Sequence, residues 1–145
     1  QAMTLWALRE NISEAQARDG KNIKHDISVP VSQIPAFMAD TDARLQVAFP
    51  GCRMTVFGHL GDGSLHYNVG APEGIPDDDF LARQDDVNQV VYDNVARFNG
   101  AISAEHGLGA LKHDKNAHYK DAVEIQLMKK IKQAFHISNI YIYII

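Results

Sequence analysis

The chain has 145 residues, of which 46% are hydrophobic and 22% are charged, and its formal net charge is -4. This composition is typical of one globular domain, and the acidic balance argues against a broad nucleic-acid surface. No apolar run approaches the roughly 20 residues that cross a bilayer, and no signal peptide is evident. Because the sequence opens on Gln1 rather than Met, we expect a fragment or a processed product.

The single cysteine, Cys52, cannot form an internal disulfide, and it stands before an apolar run. We therefore expect a buried small side chain rather than a reactive thiol. This use of cysteine is typical of a reducing compartment. The expected location is the cytoplasm, with the mitochondrial matrix or the membrane periphery as alternatives.

The first predicted helix covers residues 3 to 18, and its apolar residues recur at helical spacing. They are Leu5, Leu8, Ile12 and Ala15. Arg9 and Ser13 lie one turn apart and share a face, although this segment alone favours a solvated charge for Arg9. A short strand is predicted from Lys24 to Val29, ending at Pro30.

The next predicted helix begins at Ser32, whose hydroxyl can cap it, and it carries one apolar stripe. The stripe consists of Ile34, Phe37, Met38 and Leu45. Two predicted strands follow, Cys52 to His59 and Leu65 to Gly70, and they form a hairpin.

The hairpin is predicted to turn at Asp62-Gly63, a dipeptide typical of two-residue turns. Facing residues then have numbers that sum to 125, so His59 lies opposite His66. The two-residue period of a strand puts Asn68 on the same face as His66. Two imidazoles and an amide are therefore expected to converge.

The second half begins with Asp77, Asp78 and Asp79, which suit the positive end of a helix dipole. The helix that follows is predicted to stop at Asn99-Gly100 and to bury one set of apolar residues. These are Phe80, Val87, Val91, Val95 and Phe98. A further strand is predicted from Ala101 to Ala104. The order of elements indicates an α+β fold with a ferredoxin-like split βαβ sheet and additional flanking helices.

The last predicted helix runs from Lys115 to Phe135 and repeats apolar residues every four positions. They are Val123, Leu127, Ile131 and Phe135. Residues 136–145, HISNIYIYII, form a β-prone apolar tail for which the sequence suggests no function. We therefore expect one domain over residues 1–135, followed by this atypical tail.

A metal site is one interpretation of the histidines when they are combined with Glu105 and His106, which follow the predicted strand. Two histidines and a carboxylate are a common ligand set for Zn²⁺ or another divalent ion, and Glu105 is the candidate third ligand. His106 would point elsewhere and could act as a base. Gly107 and Gly109 allow a positive φ or a close backbone approach.

An ordinary polar cross-strand pair is an equally good interpretation of His59 and His66. The glycines around Asp62 need nothing beyond a tight turn to explain them. Taken alone, Glu105 and His106 are more typical of an ordinary polar loop than of a metal or catalytic site.

Four segments in the same order resemble the C-terminal domain of FAD-linked oxidases. They are WALRE at residues 6–10, KHDISVPVSQIP at 24–35, FGHLGDGSLHYNV at 57–69 and SAEHGLGALK at 103–112. The family includes enzymes of the D-lactate dehydrogenase, glycolate oxidase and D-2-hydroxyglutarate dehydrogenase types. The resemblance runs from the start of the chain to about Lys132.

The resemblance implies a role for each matched residue. His59, His66 and Glu105 would hold a divalent metal, with Zn²⁺ favoured, and His106 would be the general base. The residues that would bind the substrate's carboxylate and hydroxyl are Arg9, Ser13, Lys24 and Asn68. For Arg9, this replaces the interpretation as a solvated charge. The implied reaction oxidises a D-2-hydroxy acid to a 2-oxo acid and passes a hydride to FAD.

The sequence departs from the family in two places. No glycine-rich pyrophosphate loop is present, so FAD is expected on a flavin-binding domain absent from this chain, and the chain alone is expected to be inactive. The final ten residues also differ from the family's usual ending. The expected partners are a small 2-hydroxy acid and the flavin domain, with a homodimer as a possibility. The alternative is a non-catalytic metal-binding or structural domain that has lost its flavin partner.

Overall fold

The computed structural model describes residues 2–109 and 113–135. Within these ranges the helices are α1 (Ala2–Glu10), α2 (Ile12–Arg18), α3 (Ile34–Ala48), α4 (Asp77–Leu81), α5 (Gln84–Arg97), α6 (His113–Tyr119) and α7 (Ala122–Ala134). The strands are β1 (Asn22–Ser28), β2 (Arg53–His59) and β3 (Ser64–Gly70), and short 3-10 helices cover Val31–Gln33 and Leu60–Asp62. None of the described helices is both long and apolar enough to pass through a bilayer.

The three strands form one antiparallel sheet in the order β1-β3-β2. Alternate side chains of each strand point to opposite faces. On one face Ile23, Leu65 and Tyr67 are buried in a core that also takes in apolar residues of α3 and α5. Burial of these side chains supplies the main stabilisation of the fold. Cys52 lies in the same core, which confirms the prediction that it is buried.

Polar and aromatic contacts inside the core join α3, α5 and the sheet. Asn94 of α5 donates a hydrogen bond of 2.8 Å to the Thr41 hydroxyl of α3, and both side chains are buried. The ring of Phe37 meets Tyr67 and Phe98 edge to face, an arrangement that aromatic quadrupoles favour. These contacts fix how the two helices lie on the sheet.

The fold is α+β as predicted, and its three strands have the order that the first three strands take in a ferredoxin-like sheet, but the predicted fourth strand is wrong. Only a single antiparallel bridge, between Ser28 and Ala101, lies where that strand would pair with β1. The chain then leaves the sheet because the backbone N–H groups of residues 104–106 donate to the carboxylate of Asp26 instead of to a strand. Residues 102–109 consequently form a loop beside the polar face of the sheet.

The predicted two-residue hairpin turn is also wrong. The 3-10 helix Leu60–Asp62 and Gly63 make a longer connection, in which Gly63 has φ 72° and a Cβ would collide with the backbone carbonyl of Val29. His59 therefore pairs with Ser64, while His66 pairs with Phe57. The sum of facing numbers is 123 rather than 125.

Several helix boundaries differ from the predictions. The first helix is interrupted at Asn11, and Leu5 and Leu8 of its apolar pattern are exposed. Ser32 does not cap α3 but lies within a 3-10 turn, and the N-cap residue is Gln33, with no side-chain cap. The third predicted helix, which follows Asp77–Asp79, is divided into α4 and α5, although its expected core residues are buried apart from the half-buried Phe98.

The last predicted helix is also two helices. α7 starts after Asp121, whose carboxylate accepts hydrogen bonds from the N–H groups of Val123 and Glu124. The tail at residues 136–145 lies outside the described residues, so the domain boundary at residue 135 stays a prediction.

Candidate functional site

The face of the sheet away from α3 and α5 is polar, and it carries the candidate site. Lys24 and Asp26 of β1 pair with Asn68 and His66 of β3. Residues that pair directly across antiparallel strands share a face. The strand alternation that sends Ile23 and Ile27 into the core therefore sends these four polar residues to the opposite side.

A cavity of about 680 Å³ lies over this face. Its walls come from α2, from the sheet and from the loop after residue 102. The lining residues are Ser13, Gln16, Lys24, His25, Asp26, Phe57, His66, Asn68, His106, Gly107, Leu108 and Gly109. A volume of this size suits a small-molecule ligand. Gly107 and Gly109 have φ of 71° and 57°, as their predicted freedom allows.

Glu105 is the centre of a polar cluster at one side of the cavity. Its Oε1 lies 2.7 Å from Nδ1 of His59 and accepts a hydrogen bond of 3.1 Å from the Ser64 hydroxyl. Its Oε2 lies 3.9 Å from Nε2 of His66. The hydrogen bond with His59, followed by that of Ser64, lowers the pKa of the Glu105 carboxyl below its ordinary value. The two histidines are thus joined through one carboxylate.

Arg9 extends this cluster towards the N-terminal helices. Its Nη2 donates to Nε2 of His59 at 3.1 Å. Because arginine can only donate, Nε2 of His59 is the acceptor and Nδ1 carries the proton that is donated to Glu105. Arg9 is exposed, so it reaches a solvent-accessible side of the cluster.

His106 lies against His66 in the cavity wall. The two rings are stacked with centroids 5.7 Å apart, and the ring of Phe57 also packs against His66, with centroids 5.1 Å apart. The His106 side chain is 68% exposed, and its Nδ1 is 3.6 Å from Oδ2 of Asp26. The ring is accordingly open to a ligand while one nitrogen faces a carboxylate.

Asp26 is a buried acid on the polar face. Burial by itself would raise the pKa of its carboxyl, but N–H donors from His106, Glu105 and Ala104 and the nearby His106 ring outweigh it, so the pKa lies below its ordinary value. The carboxylate therefore stays charged at neutral pH.

Asn68 is buried and its side-chain amide donates a 2.7 Å hydrogen bond to Oε1 of Gln16. This bond connects β3 to α2 across the cavity. Ser13 and Gln16 are three positions apart on the same side of α2, and both line the cavity.

The structure brings the eight predicted site residues to one side of the sheet. Five of them line the cavity, namely Ser13, Lys24, His66, Asn68 and His106. Arg9, His59 and Glu105 form the adjacent cluster instead.

A metal ion was predicted at His59, His66 and Glu105. Within residues 2–109 and 113–135, no group of three His, Cys, Asp or Glu side chains has an arrangement suited to holding a metal. The donor types fit, since two imidazoles and a carboxylate are usual ligands of Zn²⁺. Both ring nitrogens of His59 are hydrogen bonded here, one to Glu105 and one to Arg9, so an ion would have to replace one of these contacts.

Sequence reasoning missed Asp26, Gln16 and Ser64. The alternating pattern of β1 could have identified Asp26, which lies two residues from Lys24 on the same face. Gln16 could have been found from helical spacing to Ser13. Ser64 required the correct hairpin register, because the predicted one places it opposite Gly61.

The profile of the family "FAD linked oxidases, C-terminal domain" matches residues 1–140. The chain belongs to this family, which confirms the resemblance drawn from the four sequence segments.

Its relatives include proteins named D-2-hydroxyglutarate dehydrogenase. The protein of Xanthomonas citri pv. viticola is 46% identical over 132 residues, covering 91% of this chain and 28% of the relative. That of Stutzerimonas stutzeri is 39% identical over 140 residues, covering 97% and 30%. The mitochondrial protein of Bos taurus is 40% identical over 129 residues, covering 88% and 22%. The chain thus spans less than a third of the length of these relatives.

Proposed function

We propose that this chain forms the substrate-binding part of an FAD-dependent dehydrogenase that oxidises a D-2-hydroxy acid to a 2-oxo acid. The observation that carries the proposal is the convergence of cationic, amide and imidazole side chains on one cavity, drawn from α2, β1, β3 and the loop at residues 102–109. Membership of the FAD-linked oxidase family and the names of the relatives support it.

Substrate binding falls to Lys24, Asn68 and Ser13, which line the cavity, and to Arg9 beside it. An ammonium group and an amide are suitable donors to a carboxylate. The hydrogen bond from Asn68 to Gln16 holds the Asn68 amide in one orientation. We propose that these donors fix the acid group and direct the substrate's C2 hydroxyl towards His106.

His106 is the proposed general base, which takes the proton of the C2 hydroxyl. Its ring lines the cavity, and its Nδ1 faces the carboxylate of Asp26. Nε2, the nitrogen turned away from Asp26, is then the atom that accepts the proton. Stacking on His66 keeps the plane of the ring in place.

Two groups complete the proposed chemistry. FAD, which we place on the part of the relatives' length that this chain does not span, would accept the hydride from C2. A divalent metal held by His59, His66 and Glu105, with Zn²⁺ favoured, would polarise the C2 hydroxyl. No residue of the described ranges is assigned to FAD.

The substrate we favour among the three family types is D-2-hydroxyglutarate. The relatives carry that name. The acid has two carboxylates, and the candidate site has two cationic side chains, Lys24 and Arg9. D-lactate and glycolate have one carboxylate each and would leave one of these charges unused. A homodimer and a cytoplasmic or mitochondrial location remain proposals.

The test uses a longer polypeptide in which this chain is joined to the proposed flavin-binding domain. We expect D-2-hydroxyglutarate to reduce the bound FAD under anaerobic conditions, as measured by loss of the oxidised flavin absorbance. His106→Ala should slow this reduction by roughly a hundredfold or more, the usual size of a general-base contribution. The control is His118→Ala, which changes an exposed histidine of α6 outside the site.

Metal analysis of the same proteins separates the alternatives. His59→Ala should lower the bound metal, while His106→Ala should leave it unchanged. If neither D-2-hydroxyglutarate, D-lactate nor glycolate reduces the flavin and the metal is retained, the result would favour the alternative of a non-catalytic metal-binding domain. Equal metal content in wild type and His59→Ala would refute the ligand assignment.

A further inference from the structure

Asp26 has contacts that substrate binding alone does not explain. One of its carboxylate oxygens, Oδ2, accepts hydrogen bonds from three consecutive backbone N–H groups, those of Ala104 at 3.3 Å, Glu105 at 2.9 Å and His106 at 2.8 Å. Consecutive N–H groups around one anion are a known anion-binding arrangement of the backbone. Here the anion is a side chain of the protein itself.

The position of Asp26 anchors this contact on the sheet. It lies within β1 and pairs with His66 of β3, the central strand. Its side chain is only 5% exposed. A buried carboxylate needs hydrogen-bond donors to offset its lost hydration, and the 104–106 backbone supplies them. The loop is thereby tied to the sheet where His66 lies.

The same oxygen also faces the ring of His106. Nδ1 of His106 is 3.6 Å from Oδ2 of Asp26. A carboxylate beside one imidazole nitrogen favours the proton on that nitrogen and leaves the lone pair on the other. A single atom, Oδ2 of Asp26, therefore accepts the backbone hydrogen bonds of residues 104–106 and also faces the ring of His106.

We propose that Asp26 is the positioning residue of the site, which places Glu105 and His106 by holding their backbone and which turns Nδ1 of His106 away from the substrate. The role of His106 in this inference rests on the proposed function, whereas the placement of the loop does not. Asp26 itself touches neither substrate nor flavin in this scheme.

The test compares Asp26→Ala with Asp26→Asn in the complete flavin-containing polypeptide. Alanine removes the acceptor, so amide hydrogen exchange of peptides covering residues 103–108 should rise by roughly tenfold or more, as expected for loss of hydrogen bonds to a charged group. Asparagine retains an acceptor oxygen and should change this exchange by less than about threefold.

Flavin reduction distinguishes positioning from a structural role. Asp26→Asn should slow reduction by roughly ten- to hundredfold, the size typical of a group that orients a functional histidine. The concentration of D-2-hydroxyglutarate that half-saturates the rate should change by less than about threefold, because Lys24 and Asn68 remain. A rate loss without loss of substrate affinity is not expected of a general weakening of the fold.

Asp42→Asn is the matched control. Asp42 accepts a hydrogen bond from the Tyr67 hydroxyl, so it also contacts β3, but from the packed face. Its substitution should leave both the exchange of residues 103–108 and the reduction rate within about twofold. Unchanged exchange in Asp26→Ala, or an unchanged rate in Asp26→Asn while His106→Ala is impaired, would overturn the proposal.

Failure of the proposed function would give a different result. If His106→Ala and Asp26→Asn both reduce FAD at the wild-type rate, His106 is not the base and Asp26 does not position one. Hydrogen exchange in Asp26→Ala would then be the only test of whether Asp26 holds the loop in place.

Discussion

Helices α5 and α7 carry the same apolar pattern in opposite surroundings. In α5, Val87 and Val91 are fully buried against the sheet, as is Val95 one turn later. In α7, Val123, Leu127 and Ile131 recur at the same four-residue spacing, yet they are 63%, 53% and 52% exposed. Phe135 continues this stripe and is exposed too. Periodicity thus predicts a helix and its apolar side, but not what that side contacts.

The difference between the two helices has energetic consequences. A buried apolar stripe contributes free energy of folding in proportion to the area removed from water. A stripe in solvent contributes little, and its helix depends on local interactions such as capping. We therefore expect the stability of the chain to depend strongly on α5 and weakly on α7.

The largest effect is expected when a charge is placed in the buried stripe. Val91→Asp puts a carboxylate at a fully buried position in the apolar core, which should cost at least about 4 kcal/mol and unfold much of the population. Chemical denaturation followed by circular dichroism measures this. The matched change Leu127→Asp should shift the free energy of unfolding by less than about 0.5 kcal/mol. Comparable losses of unfolding free energy in the two variants would contradict the proposed difference between α5 and α7.

A smaller effect is expected from removing apolar volume. Val95→Ala leaves a cavity beside Val29 and Gly100 and should lower the free energy of unfolding by about 2 kcal/mol. Its counterpart, Val123→Ala, should change it by no more than about 0.5 kcal/mol, since alanine has the higher helix propensity and no packing is lost. A cost above about 1 kcal/mol for Val123→Ala would show that α7 is packed more tightly than its exposure indicates.

The smallest effect concerns the local stability of α7. Asp121→Ala removes the side-chain cap on the N–H groups of Val123 and Glu124, a loss of about 1 kcal/mol for the helix. Amide exchange across residues 122–134 should rise about fivefold, whereas the global denaturation midpoint should stay unchanged. A matching fall in the midpoint would mean that α7 unfolds together with the core.

The convergence of the histidines was predictable even though the hairpin turn was not. Sums of 125 and 123 are both odd, so either register puts His59 and His66 on one face of the sheet. The absence of a strand at residues 101–104 was not predictable, because the sequence does not show that Asp26 accepts hydrogen bonds from the N–H groups of residues 104–106. Long-range competition of this kind is invisible to local patterns.

Some helix boundaries were likewise predictable from the sequence and others were not. Asp121 followed by Glu124 is a capping pattern that could have located the start of α7. The break at Asn11 has no such signal, and Asn11 makes no side-chain cap in the structure. Likewise, the exposure of the α7 stripe could not be inferred from its spacing.

The site draws on residues far apart in the chain, from Arg9 to His106, and this links ligand binding to folding. No short segment contains enough of the site to bind a ligand alone, so binding requires α2, β1, β3 and the loop to be assembled together. A ligand that binds only this assembled state raises its stability, by about 2.7 kcal/mol at a hundredfold excess over Kd. The thermal midpoint therefore becomes a reporter for ligands, usable before any turnover is measured.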